Sequence, residues 1–139
     1  MRKELRQRLA NEYRYAANKM KEAPPERKMF YFSVLFGEAQ RVLNFEWDRD
    51  LALLHTVSQQ SYNLISAQGP MLGTVLSVTT STIFEKLTQI TADLATYYEG
   101  TENKVNKEEF YQILGALAEV TYAANGNGSF LVERGILKL

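Results

Sequence analysis

Two side chains that could act on a phosphate ester lie close together in the sequence. Arg49 and His55 begin and end the stretch RDLALLH, and His55 is the only histidine of the chain. A histidine can exchange a proton near neutral pH, and an arginine can bind or polarise a phosphate. On one continuous helix, a separation of six residues places the two side chains roughly 120° apart around the axis and about 9 Å apart along it. Such a pair would cooperate more readily across a two-fold axis than within one helix.

The spacing of Arg49 and His55 resembles the short motif of the HEPN-type ribonucleases. These proteins are small helical bundles that dimerise and place the arginine and histidine of each subunit at a shared cleft. The resemblance covers seven of the 139 residues. It implies metal-independent RNA cleavage, with His55 as the acid or base and Arg49 binding or polarising the phosphate. The alternative is a boundary histidine that is hydrogen-bonded by a neighbour such as Gln59.

Four carboxylates precede the histidine, namely Glu38, Glu46, Asp48 and Asp50. Acidic oxygens of this kind can hold Mg²⁺, but aspartates before a helix also cap its first turn. We expect capping and solvation here. A ferritin-like di-iron site is excluded, because it needs a Glu-x-x-His pair on each of two helices. The chain has no cysteine, which excludes disulfides and thiolate metal sites, and we predict neither a metal nor a cofactor.

The most unusual feature of the sequence is residues 51–84, which contain no Asp, Glu, Lys or Arg. In a chain with 23% charged residues, such a gap arises by chance with a probability on the order of 0.0001. Ser, Thr, Asn and Gln interrupt the segment throughout, so it lacks the run of about 20 apolar residues that a membrane span needs. These neutral polar groups can be buried against a partner at tolerable cost when they are hydrogen-bonded, whereas an unpaired charge cannot.

We therefore predict that the helical hairpin formed by this segment is covered by another chain, most simply a second copy in a two-fold dimer. Its outer face is expected to carry Ser58 and Gln60 among other neutral residues. The predicted interface consists of Gln59, Asn63, Ser66, Gly73, Thr74, Ser77 and Ser81, together with Phe30, Val34 and Phe45 from a second apolar face of the preceding helix. Three alternatives stay open: a neutral surface with no partner, a hairpin buried within its own bundle, and a bundle with a cavity for an uncharged small ligand.

Apolar residues recur at steps of three and four along most of the chain, which is typical of amphipathic helices. The pattern predicts one all-α domain, most simply an up-and-down bundle, followed by a short irregular or hairpin tail at 125–139. The five predicted helices cover residues 2–22, 26–46, 50–68, 71–99 and 107–124.

Composition limits the class of protein further. A hydrophobic share of 45% indicates a folded domain, and the net charge is zero. Residues 1–28 carry nine Lys or Arg against four Asp or Glu, but these charges scatter around the first helix, so nucleic acid is not an expected partner. The N-terminus MRKELRQRLANEY lacks the apolar region of a secretory signal, which predicts a cytoplasmic protein. The favoured function is a non-enzymatic interaction module, acting as a homodimer or an accessory subunit.

Overall fold

The computed structural model describes residues 1–68, 80–100 and 107–125, and every regular element in this part of the chain is an α-helix. The all-α class predicted from the sequence is confirmed. The predicted helical course of residues 71–79 and the tail from residue 126 onward lie outside the described residues. The helices are α1 (Lys3–Glu22), α2 (Pro25–Phe32), α3 (Val34–Leu43), α4 (Arg49–Gln68), α5 (Thr80–Glu99) and α6 (Lys107–Asn125).

The second predicted helix is interrupted at Ser33, which separates α2 from α3. The backbone of Ser33 stays close to helical, with φ −61° and ψ −16°. Its hydroxyl donates a hydrogen bond of 2.5 Å to the carbonyl of Phe30. Serine hydroxyls that bond back to the main chain in this way compete with the helical pattern. Counted as one interrupted helix, α2 and α3 bring the described helices to the five that the sequence predicts.

With α2 and α3 counted as one interrupted helix, successive helices alternate in direction. Arg6, near the start of α1, donates to the carbonyl of Tyr97 near the end of α5 at 2.7 Å. At the starts of α4 and α6, the Tyr111 hydroxyl donates to Asp50 at 3.0 Å. A small cavity of about 220 Å³ is lined by Arg6, Asp50, Tyr97 and Lys107 among others, so these helix ends meet. We call this end of the bundle, where α1, α4 and α6 begin and α3 and α5 end, the polar end.

All six helices contribute to one hydrophobic core. α1 makes its most extensive contact with α5, while α4 packs between α3 and α6. Each fully buried leucine or phenylalanine of such a core adds about 1.5–3 kcal/mol to stability. No helix in the described ranges has the length and hydropathy required to cross a bilayer. Representative side chains with no exposed surface are Leu9, Phe32, Leu35, Leu54, Leu87 and Phe110.

The core also holds polar groups, and most of those in the described residues are hydrogen-bonded. The Tyr13 hydroxyl donates to the carbonyl of Leu35 at 2.8 Å, which ties α1 to α3. Burial raises the pKa of Tyr13 far above its ordinary value. The hydroxyls of Thr88, Thr91 and Thr121 each donate at 2.8 Å to the carbonyl four residues earlier. Their burial therefore costs little.

Candidate functional site

Both residues of the predicted catalytic pair lie on α4. Arg49 is the first residue of the helix and is exposed, whereas His55 is half-buried. Their six-residue separation on one helix directs the two side chains to different sides of it. Within the described part of the chain, the His55 imidazole makes no hydrogen bond to Gln59 or to any other residue. The geometry of one chain thus leaves Arg49 and His55 apart.

The two aspartates near the start of α4 have structural partners. Asp48 caps the helix, since its Oδ1 accepts a hydrogen bond of 2.9 Å from the backbone N–H of Leu51. Asp50 accepts from the Tyr111 hydroxyl, and this hydrogen bond raises the pKa of Tyr111. The other oxygen of Asp50 lies 3.8 Å from Nζ of Lys107.

The other two candidate metal ligands, Glu38 and Glu46, each bind arginine residues. Glu46 accepts from the backbone N–H of Arg2 at 3.0 Å. Glu38 is only 7% exposed and lies between Arg8, at 2.9 Å, and Arg41, at 3.5 Å. Its carboxylate raises the pKa of the Arg8 guanidinium through their hydrogen bond. The described residues contain no group of three or more acidic or histidine side chains arranged to hold a metal ion.

The outward side of α4 carries no charge after its first turn. Its exposed residues recur at steps of three or four and are all neutral: Thr56, Gln59, Gln60, Asn63, Ser66 and Ala67. The exposed sides of the other long helices do carry charge, among them Lys3, Glu4, Arg8 and Lys21 on α1, Glu85, Lys86 and Glu99 on α5, and Glu108, Glu109 and Glu119 on α6. Among the described helices longer than ten residues, α4 differs from its neighbours in this respect.

The expectation that Ser58 lies on this outer side is wrong. Ser58 has no exposed surface, and its hydroxyl donates to the carbonyl of Leu54 at 2.6 Å. Helical geometry turns Ser58 inward with Leu51 and Leu54. Its burial costs little because the hydroxyl is hydrogen-bonded to the backbone of the same helix. Ser61, one turn further along, is also fully buried, and its Oγ has no hydrogen-bond partner among the described residues.

A neighbouring part of α3 extends the neutral surface, and the sequence interpretation missed it. α3 packs along α4, with the rings of Phe36 and Tyr62 at 5.4 Å. Its exposed charge, Arg41, is turned toward α1. A Cβ on the exposed Gly37 would meet nothing within 4 Å, which leaves room for a close approach. We call the combined surface the amide face: Gly37, Gln40, Asn44, Thr56, Gln59, Gln60, Asn63 and Ser66.

Large aromatic side chains are exposed near the two ends of the α2–α3 segment. Phe45 is 73% exposed and Trp47 74% exposed, and both lie at the polar end between α3 and α4, where Phe45 borders the groove between α1 and α3. Phe30 is 66% exposed on α2, toward the opposite end, and Val34 is half-buried. Exposed aromatic residues that cluster are typical of surfaces that meet another protein.

The remaining residues of the predicted interface cannot be placed. Gly73, Thr74 and Ser77, and the side chain of Ser81, lie outside the described residues.

Two grooves of the described chain are lined in part by charged side chains. One, of about 990 Å³, runs between α1 and α3, with Arg8, Glu12 and Arg41 on its walls. Another, of about 550 Å³, lies against α1, α2 and α5, with Lys21 and Glu85 on its walls. These linings differ from the neutral cavity that an uncharged ligand would favour.

Among known proteins, no family model, no curated sequence and no solved structure matches the chain. What the chain does must therefore be inferred from its own surfaces.

Proposed function

We propose that this protein is a non-enzymatic helical module that works by association through its amide face, most simply as a homodimer. One observation carries the proposal: the outer surface of α3 and α4 is neutral and rich in Gln and Asn, while the exposed sides of α1, α5 and α6 carry charges. Contact with water does not explain this difference, because a helix face that is open to solvent accommodates charged residues as readily as neutral ones.

The cost of covering the surface favours this function. An amide or hydroxyl that loses water but gains a hydrogen bond costs little, whereas an unpaired buried charge costs several kcal/mol. Gln59, Gln60 and Asn63 each carry a donor and an acceptor, so a partner can satisfy them. Trp47, 74% exposed, adds aromatic area of the kind that protein interfaces use for affinity.

The size of the described surface is that of a weak complex, which dissociates on dilution. α4 contains 20 residues, which corresponds to a length of about 30 Å. Packed helices lie about 10 Å apart, and α3 has only 10 residues, or a length of about 15 Å, so the face measures roughly 450 Å². A standard interface buries about 800 Å² per partner, and weak complexes bury less than about 600 Å² per partner, so the described face has the size of a weak interface.

The mass of the protein in solution tests the proposal. Sedimentation equilibrium over a range of micromolar concentrations should give a mass approaching twice the 15.9 kDa of the chain. On dilution, the mass should fall toward that of one chain as the complex dissociates. A mass of 15.9 kDa at every concentration would contradict the homodimer.

A further inference from the structure

We infer that two copies of this chain pair with their α4 helices antiparallel, about a two-fold axis near Gln59 and Gln60, so that Trp47 of each copy covers the partner's Phe30. The inference rests on the proposed function and adds to it the identity of the partner, the direction of pairing and the contacts at both ends.

The chemistry of the amide face favours a second copy as the occupant. Close to a two-fold axis, a side chain meets either itself or a near neighbour from the other subunit. A charged residue there would meet a like charge, whereas Gln and Asn can donate to and accept from an identical side chain. Gln59 and Gln60 lie near the middle of α4, and Gln40 and Asn44 continue the amide chemistry onto α3. A surface of self-complementary groups suits an identical partner.

The charge at one end of α4 determines the direction of pairing. Arg49 is the exposed charge on the outer side of this helix, and it lies at the first residue. Parallel pairing would bring two copies of Arg49 together at the polar end. Antiparallel pairing instead places Arg49 at the C-terminal end of the partner's α4, where the helix dipole is negative and favours a cation. The last turn of α4 contains no basic residue that would oppose it.

The exposed aromatic residues fit the same arrangement. Trp47 precedes α4 at the polar end, whereas Phe30 lies on α2, which begins where α1 ends at the other end of the bundle. Turning one copy end for end brings Trp47 of one subunit toward the partner's Phe30. The contact occurs twice, once at each end of the amide face, and it removes two large aromatic side chains per chain from water.

Cysteine cross-linking tests the direction of pairing, and the chain suits it because it contains no cysteine. In antiparallel pairing centred between Gln59 and Gln60, Thr56 of one copy faces the partner's Asn63. A mixture of Thr56→Cys and Asn63→Cys proteins, allowed to exchange subunits and then mildly oxidised, should give the mixed disulfide dimer in clear excess over either homodimer. Gln112→Cys, on the exposed side of α6, is the matched control for random collision.

Each outcome of the cross-linking has a defined meaning. If Thr56→Cys and Asn63→Cys each form only the homodimeric disulfide, the helices pair in parallel and the inference is overturned. Cross-linking no greater than that of Gln112→Cys, in a protein whose mass is that of a dimer, would overturn the inference and leave the proposed function standing. A monomeric mass for the unmodified protein would contradict both this inference and the proposed homodimer.

Trp47 provides a second and independent measurement, because it is the only tryptophan of the chain. Its emission should shift to shorter wavelength as concentration rises and the partner's Phe30 covers it. Phe30→Ala should reduce that shift even at concentrations where the mass remains that of a dimer. An unchanged shift in Phe30→Ala would mean that something other than the partner's Phe30 covers Trp47, which contradicts the antiparallel contact.

Discussion

Replacing Gln59 by lysine tests whether the neutrality of the amide face is what permits association. Gln59 is exposed near the middle of α4, so the substitution leaves the core of each subunit unchanged. In the dimer, however, it places two positive charges beside the two-fold axis. At a separation of about 8 Å and an effective dielectric constant of 20, they repel by about 2 kcal/mol. The dissociation constant should therefore rise about 30-fold, before the desolvation of the two ammonium groups is added.

Sedimentation equilibrium measures this constant, and the chain offers matched comparisons. Gln112→Lys makes the same chemical change at an exposed position of α6 and should leave the dissociation constant within twofold of the wild type. Gln59→Glu should weaken association as much as Gln59→Lys does. Mixing the Lys and Glu variants should restore a heterodimer, because the two charges then attract. Equal dissociation constants for Gln59→Lys and Gln112→Lys would refute the reasoning.

Other predictions concern the stability and the chemistry of the fold. Tyr13→Phe loses the buried hydrogen bond to Leu35 and should lower the free energy of unfolding in urea by about 1 kcal/mol; an unchanged value would mean that the bond adds nothing. Asp48→Ala removes the cap of α4 and should cost about 1 kcal/mol in the same assay, whereas Asp48→Asn should retain most of it. Burial raises the pKa of Tyr97 to about 12. The unfolded chain, in which a tyrosine titrates near pH 10, then loses this proton first. The free energy of unfolding should fall as the pH rises from about 10 to 12, and less steeply in Tyr97→Phe; equal slopes would refute this assignment. Wild-type protein and His55→Ala should leave single-stranded RNA equally intact, and degradation by the wild type alone would establish a ribonuclease instead.

The helices could be predicted from the sequence because their apolar periods are local and uninterrupted. The break at Ser33 could not be predicted, since the apolar period continues across it; the hydrogen bond from the Ser33 hydroxyl to the Phe30 carbonyl at this point is visible only in the structure. Ser58 was misplaced for a related reason. Its polarity suggests the outer side, but on α4 it faces the same direction as Leu54. Its hydroxyl donates a hydrogen bond to the backbone of the same helix.

The candidate site was accessible from the sequence only in part. The absence of charge along residues 51–84 can be counted directly, and it identifies the α4 side of the amide face. The contribution of Gln40 and Asn44 depends on α3 packing beside α4, which is a tertiary fact. The role of Asp50 is similar, because its hydrogen-bond partner Tyr111 lies 61 residues away in the sequence. Spacing along the chain alone could suggest Asp50 as a metal ligand, but it could not find this tyrosine.

The side-chain amide groups of the amide face allow the most direct test of the central claim, because each NH₂ gives its own nuclear magnetic resonance signal. Between dilute and concentrated samples, the signals of Gln59, Gln60 and Asn63 should shift and exchange more slowly with water, while that of Gln112 stays constant. The opposite result would be that these signals remain unchanged across the same concentrations and exchange with water as fast as the signal of Gln112. It would show that this surface is open to solvent and would contradict the account.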